Sequence, residues 1–223
     1  MANLYFKYCP MDGGKSLELL KTATSYERKG REVMLFTPSI DTRSGKGKIS
    51  SRWGITRDAH AWSGYEPMKI LEYATFLRPD VILVDEAQFL TREQVEQAAE
   101  VVDRLGIPVL CYGLKNDFKN DLFEGSAALL AYAERIEEII SICERCEKKA
   151  TMNLRLVDGS PAIDGEQIQV GDEEYISVCR RHYKEAFTNA ESKGTQEEEG
   201  ETQAASSARK TEAAGGIEES SPL

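Results

Sequence analysis

Three groups of residues in this 223-residue chain have the types and spacing to do chemistry. The first is Cys9-Pro10-Met11-Asp12-Gly13-Gly14-Lys15-Ser16, which matches the phosphate-loop pattern G-x-x-x-x-G-K-[ST] at every position but the first, where Cys9 stands. Glycine lets the backbone approach phosphates, and successive N–H groups at a helix N-terminus supply positive potential. Lys15 would reach the β- and γ-phosphates of a nucleoside triphosphate, and Ser16 would hold Mg²⁺. The plainer alternative is a glycine turn before an amphipathic helix, with Lys15 solvated. Cys9 in place of glycine requires a backbone conformation that tolerates a Cβ.

The second group is the apolar run Val81-Ile82-Leu83-Val84 ending in Asp85-Glu86. At such a strand end the first carboxylate serves Mg²⁺ and the second is placed to act as a general base. The alternative is a strand simply capped by acids at a sheet edge. The third group is Cys143-x-x-Cys146 with Cys179-x-x-His182. Three sulfurs and one nitrogen on two knuckles suit a closed, structural tetrahedral Zn²⁺. A redox Cys-x-x-Cys or unrelated cysteines are the competing readings, and a redox pair has no need of Cys179 and His182.

These residues need elements to position them. Leu4–Tyr8 reads as a short buried strand, Lys15–Lys29 as a helix with Leu17, Leu20, Ala23 and Thr24 on one face and Gly30 as its stop, and Glu32–Thr37 as a second strand. That β-loop-α-β unit implies a parallel sheet with right-handed crossovers. Asp41–Asp58 reads as a mobile polar loop, with His60 also in a polar loop, and Glu66–Leu77 has helical periodicity. Asp80–Asp85 is a strand, Thr91-Arg92-Glu93-Gln94 a capping box opening a helix to Leu105, Ile107–Tyr112 a further central strand, and Leu122–Glu134 a helix. Ile136–Ile142 leads into the cysteine pair. Beyond it, Thr151–Leu156, Glu166–Val170 and Tyr175–Val178 read as short strands of a small β module. From about Thr188 the chain has hardly an apolar side chain and is predicted to be disordered.

The chain is 41% hydrophobic and 30% charged, enough for one α/β domain with a small appendage. No apolar run approaches the roughly 20 residues of a membrane span, and no secretory signal opens the chain. A net charge of −10 disfavours broad nucleic-acid binding but leaves small anionic ligands possible. Five cysteines without a signal sequence point to a reducing, cytoplasmic setting.

In this order the pieces resemble the thymidine kinase family of the zinc-containing, phosphate-loop type, over about Asn3 to Glu185. The resemblance is carried by Pro10–Ser16, Asp41-Thr42-Arg43, Ser51-Arg52, Val84-Asp85-Glu86-Ala87-Gln88-Phe89, Tyr112-Gly113-Leu114, Phe118, Cys143-Glu144-Arg145-Cys146, Ala150-Thr151-Met152 and Tyr175–His182. It implies an α/β fold: a RecA-like phosphate-loop parallel sheet flanked by helices over 1–140 and a zinc-binding β module with a substrate lasso loop over 141–187, ahead of the disordered acidic tail that composition predicts over 188–223. It implies transfer of the γ-phosphate of ATP to the 5′-hydroxyl of thymidine, with Mg²⁺ and structural Zn²⁺. It also implies a homotetramer, feedback by dTTP, and neither nucleic acid nor membrane as partner.

The same resemblance distributes the roles. ATP would be bound by Cys9, Pro10, Met11, Asp12, Gly13, Gly14, Lys15 and Ser16 with Asp85, Glu86, Ala87 and Gln88. Ser16, Asp41, Arg43 and Asp85 would form the Mg²⁺ and phosphate shell, and Glu86 would be the base. Phe118 would stack on thymine, Met11, Phe89, Leu114 and Tyr175 would shape its pocket, and the lasso at Ile168, Gln169, Val170 and Gly171 would close over it. Against the family pattern, Cys9 replaces a small residue, Gly13 a Ser or Ala, Leu17 a Thr, and Val170 one of two adjacent glycines. A DNA-handling ATPase with the same core would need a basic face on the zinc module, where Glu144, Glu147, Asp158, Asp164, Glu166, Asp172, Glu173 and Glu174 offset the cations. A purely nucleotide-binding regulator would have no use for Glu86 beside Asp85.

Overall fold

A computed structural model describes residues 2–41, 45–62, 69–167 and 174–190. The first strand, β1 (Leu4–Tyr8), feeds helix α1 (Lys15–Glu27), which leads to β2 (Val33–Pro38). Then come β3 (Lys48–Ser50), β4 (Thr56–Asp58), β5 (His60–Trp62), α2 (Ile70–Leu77) and β6 (Val81–Val84). A 3₁₀ turn (Ala87–Phe89) precedes α3 (Arg92–Glu100), which runs into a π-helical turn (Val101–Leu105) before β7 (Val109–Gly113), α4 (Glu124–Tyr132) and β8 (Arg135–Glu138). The C-terminal part holds β9 (Met152–Val157), β10 (Ser160–Pro161), β11 (Glu174–Val178) and a helix, α5, over 180–190.

Six strands make one sheet in the order β5-β2-β6-β7-β1-β8, every pair parallel. Parallel strands need both faces covered. On one face Phe6, Phe36, Ile82, Val84, Val109 and Cys111 pack against α2, α3 and α4 through Ile70, Ala74, Val95, Ala98 and Leu129. On the other, Leu35, Val81, Leu83, Leu110 and Tyr112 meet Leu19, Leu20 and Ala23 of α1. Because all six strands run the same way, the loops after β1, β6 and β7 leave from one edge, and those loops carry the candidate chemistry. The capping box of α3 forms in full: Gln94 N–H donates to Thr91 Oγ1 at 3.3 Å and Thr91 N–H to Gln94 Oε1 at 3.0 Å.

The structure differs from the sequence-based expectations in several places. Lys48–Asp58 is a β3–β4 antiparallel hairpin and not a loose loop. Ile49 is buried against α1, Arg57 Nη2 reaches Glu27 Oε2 at 3.0 Å, and Arg52 at the tip pairs with Asp12 of the phosphate loop. Of its large apolar residues Ile49, Trp53 and Ile55 only Ile49 is buried, which gives too little alternation to read as strands. His60 opens β5 instead of lying in a loop, and its ring stacks on Tyr73 at 5.2 Å. In α1, Leu19 is buried where Leu17 was expected, since Leu17 lies toward the half-open flank of the helix. Arg135–Glu138 joins the main sheet as its edge strand, hidden in the sequence by charged residues that face solvent. Glu166 and Gln167 lie outside any strand, and Ile168–Val170 fall outside the described residues, as does the 63–68 stretch before α2. Residues 188–190, assigned to the tail, continue α5, while 191–223 lie outside the described residues.

Candidate active site

Gly14 caps α1 in the left-handed region at φ 86° and, as a glycine, supplies no side-chain cap to the first-turn N–H groups. Asp12 is left-handed too, at φ 61°, and Gly13 N–H closes a turn on the Pro10 carbonyl at 3.2 Å. Alternating backbone handedness of this kind turns successive N–H groups inward to make an anion-binding nest. Lys15 is buried, its Nζ donating to the Pro10 carbonyl at 3.2 Å, so the ammonium lies folded over the loop. Cys9 is not among the described residues with positive φ, so its Cβ is accommodated. Burial raises its thiol above the ordinary range, which keeps it neutral and disfavours a nucleophilic role.

The end of β6 meets this loop directly. Ser16 Oγ donates to Asp85 Oδ2 at 3.0 Å. Asp85 Oδ1 is buried and, among the described residues, has no hydrogen-bond partner. Burial, and next the Glu86 carboxylate, push the Asp85 carboxyl up to about 7. An unsatisfied buried carboxylate oxygen beside a serine hydroxyl fits a hard divalent cation such as Mg²⁺. Asp41 lies in the turn after β2, its N–H donating to Pro38 at 3.1 Å, whereas Arg43 lies outside the described residues.

Glu86 has a left-handed backbone, φ 48° and ψ 43°, rare for a residue with a side chain. Its carboxylate accepts from Gln88 Nε2 at 2.6 Å. Gln88 is only 2% exposed and is fixed in turn by accepting from Leu114 N–H through Oε1 at 3.0 Å. Expected as a nucleotide contact, Gln88 here links the Glu86 carboxylate to the backbone after β7. Ala87 is buried beneath it. Its carbonyl lies 2.6 Å from where a Cβ on Gly125 would be, so α4 can approach this turn only because position 125 is glycine.

Among the residues expected to shape the base pocket, Leu114 is buried after β7 and Phe89 packs edge-on to Phe123, ring centroids 6.0 Å apart. Phe118 is 2% exposed, with the Arg155 guanidinium 4.9 Å from its ring centroid. Arg155 is the register partner of Tyr175 on β11. The Tyr183 hydroxyl of α5 donates to the Phe118 carbonyl at 2.5 Å, which ties this loop to the zinc-candidate helix. Met11 belongs to the phosphate loop and reaches the same module through its backbone. Ile168, Gln169, Val170 and Gly171 lie outside the described residues.

The ligand atoms of Cys143, Cys146, Cys179 and His182 all lie within 4.8 Å of one another. Cys143 Sγ is 3.3 Å and Cys179 Sγ 3.6 Å from His182 Nδ1, and Cys146 Sγ is 3.9 Å from Cys179 Sγ. A tetrahedron with Zn–S near 2.3 Å has edges of about 3.8 Å, so these four donors fit the ion. Arg145 N–H donates to Cys143 Sγ at 3.4 Å, a bond that stabilises a thiolate at a knuckle. Four converging donors favour a closed metal site over a redox pair. Lys148, Lys149, Arg180, Arg181 and Lys184 gather on the module's outer face, but Lys149 pairs with Glu138 at 2.6 Å and Arg181 with Glu185 at 3.4 Å.

Comparison with known proteins gives a concordant result. A family model described as thymidine kinase matches residues 2–183. A thymidine kinase of Lactococcus lactis is 52% identical over 186 residues, covering 82% of this chain and 97% of that protein. Thymidine kinases of Streptococcus gordonii (52% identical, 82% and 96% covered) and Enterococcus faecalis (49% identical, 82% and 95% covered) match over the same length.

Proposed function

This chain belongs to the thymidine kinase family, an ATP-dependent phosphotransferase family, and on that premise we propose that it transfers the γ-phosphate of ATP to the 5′-hydroxyl of thymidine through the site described above. The product, thymidine monophosphate, would feed salvage for DNA synthesis. The observation that carries the reading is the contact of Ser16 with Asp85 at 3.0 Å, because it brings the phosphate loop onto the strand end bearing Glu86.

In this proposal the nest at Asp12–Gly14 and the N-terminus of α1 hold the triphosphate, and Lys15 swings from the Pro10 carbonyl to the β- and γ-phosphates. Ser16 and Asp85, with Asp41 and Arg43 in the wider phosphate shell, would hold Mg²⁺, which when bound neutralises charge on the transferring phosphoryl group. Glu86, held by Gln88, accepts the proton of the thymidine 5′-hydroxyl as its oxygen attacks the γ-phosphorus and ADP leaves. Met11, Phe89, Leu114, Phe118 and Tyr175, with the lasso over 168–171, form the base pocket. The cation already on the Phe118 ring supports it as a fixed platform rather than a mobile lid.

Residues 1–140 act as the nucleotide-binding unit and 141–187 as the unit that carries the lasso between zinc knuckles. A structural zinc at Cys143, Cys146, Cys179 and His182 is supported by the donor geometry. A triphosphate with the same base would occupy both halves of the site, which supports dTTP as feedback ligand. The exposed apolar side chains Tyr73, Phe76 and Leu77 of α2 support assembly into a homotetramer. No described helix is long and apolar enough to cross a membrane. The grouping of Cys143, Cys146 and Cys179 as thiol donors around His182 supports a reducing, cytoplasmic setting. The test is a phosphotransfer assay with ATP against a panel of nucleosides: thymidine should be phosphorylated at its 5′ position, and no transfer to any pyrimidine nucleoside would sink the proposal.

A further inference from the structure

Met11 is held at both of its backbone polar groups by the C-terminal β module. Its N–H donates to Asn153 Oδ1 at 2.7 Å, and its carbonyl accepts from the Ser177 hydroxyl. Asn153 lies on β9 and Ser177 on β11, and the two are direct register partners. The two residues are 2% and 3% exposed.

Each holder is itself anchored. Asn153 Nδ2 donates to the Asn116 carbonyl at 2.7 Å, so its amide bridges the phosphate loop to the loop after β7. The backbone of Ser177 is locked to Glu144, between Cys143 and Cys146. Ser177 N–H donates to Glu144 Oε1 at 3.0 Å, and Glu144 N–H donates to the Ser177 carbonyl at 3.0 Å. A continuous set of hydrogen bonds therefore runs from the knuckle to β11 and on to Met11.

A phosphate loop works by the direction of its N–H groups, and its glycines give it no side chains with which to fix that direction. Apolar packing on Met11 would be non-directional, whereas two buried hydrogen bonds to opposite sides of one residue set its orientation. Buried polar groups of this kind are costly unless paired, and here they are paired with the loop itself. We propose that Asn153 and Ser177 are positioning residues for phosphoryl transfer: they hold the phosphate loop at Met11, so the β module governs the nucleotide half of the site as well as the base half. The inference rests on the reading of Cys9–Ser16 as the triphosphate site.

The test uses the full-length protein and Ser177→Ala, Ser177→Thr and Asn153→Leu, with a non-hydrolysable ATP analogue as the binding probe. Affinity for the analogue should fall about fivefold or more in Ser177→Ala and Asn153→Leu, with KM for ATP rising in step and KM for thymidine moving less. Ser177→Thr, which keeps the hydroxyl, should bind within about twofold of the parent protein. A role in module stability alone would lower the melting temperature and shift both KM values together, and that result would overturn the proposal. So would parental affinity in Ser177→Ala, which tests the clamp even if Asn153→Leu does not fold. If the parent protein itself fails to bind the analogue, the triphosphate reading falls and the clamp with it.

Discussion

Cys9 fills the space that a side chain on Gly13 would need. A Cβ built on Gly13 would stand 2.9 Å from Cys9 Cβ and closer still to its sulfur. The two positions where this loop departs from its pattern are thus one packing unit: the larger residue at the start of the loop is accommodated by the absence of a side chain four positions later. Gly13→Ala should weaken nucleotide binding or stability by about 1–3 kcal/mol through overpacking. Cys9→Gly combined with Gly13→Ala should recover most of that loss, because removing only the sulfur would leave the Cβ contact. A double-mutant cycle on ATP-analogue affinity and melting temperature measures the coupling, and additive effects would mean that the two sites are independent.

Glu86→Gln should retain ATP binding and lose kcat by on the order of 10² or more, since the amide cannot take the hydroxyl proton. Gln88→Ala should give a smaller loss in kcat with Glu86 intact, because it removes the bond from Gln88 Nε2 to the Glu86 carboxylate at 2.6 Å. Steady-state kinetics on both variants separates proton acceptance from aiming. Equal turnover by Glu86→Gln and the parent protein would remove Glu86 from the mechanism.

Removing zinc with a chelator should unfold the module built around Cys143, Ala150, Leu154, Val178, Cys179 and Ala186, whose small apolar cluster is centred on the proposed ligands. KM for thymidine should rise as the ends of the lasso are released. Metal analysis, circular dichroism and KM measured on the same sample check this, and a metal-free protein with native kinetics would contradict a closed structural site.

Thr91→Ala should cost about 1 kcal/mol of stability by removing the hydroxyl that accepts from Gln94 N–H at the start of α3, while the backbone N–H of position 91 can still donate to Gln94 Oε1. Urea denaturation reads the loss. Catalytic constants should stay unchanged, as Thr91 lies outside the proposed site.

The chemistry of this chain is written in short contiguous patterns. The phosphate loop, the Asp85-Glu86 strand end and the two cysteine knuckles each depend on residues a few positions apart, so periodicity and spacing alone located them. The Cys9–Ser16 loop could also be placed between a strand and a helix, because Leu4–Tyr8 is an apolar run and Lys15 begins an amphipathic one. The β3–β4 hairpin and the edge strand β8 were not legible, since polar and charged residues in a solvent-facing strand look like those of a loop. The roles of Gln88, Asn153 and Ser177 were hidden for a related reason. A polar side chain in a sequence does not declare which backbone group it will meet, and Asn153 and Ser177 stand 142 and 166 positions from the Met11 groups they hold. What the sequence by itself determined is which residues stand together as candidates to bind phosphate, metal and proton. Only the tertiary structure decided how they are aimed, because aiming depends on directional hydrogen bonds and close contacts that exist once distant strands are in register.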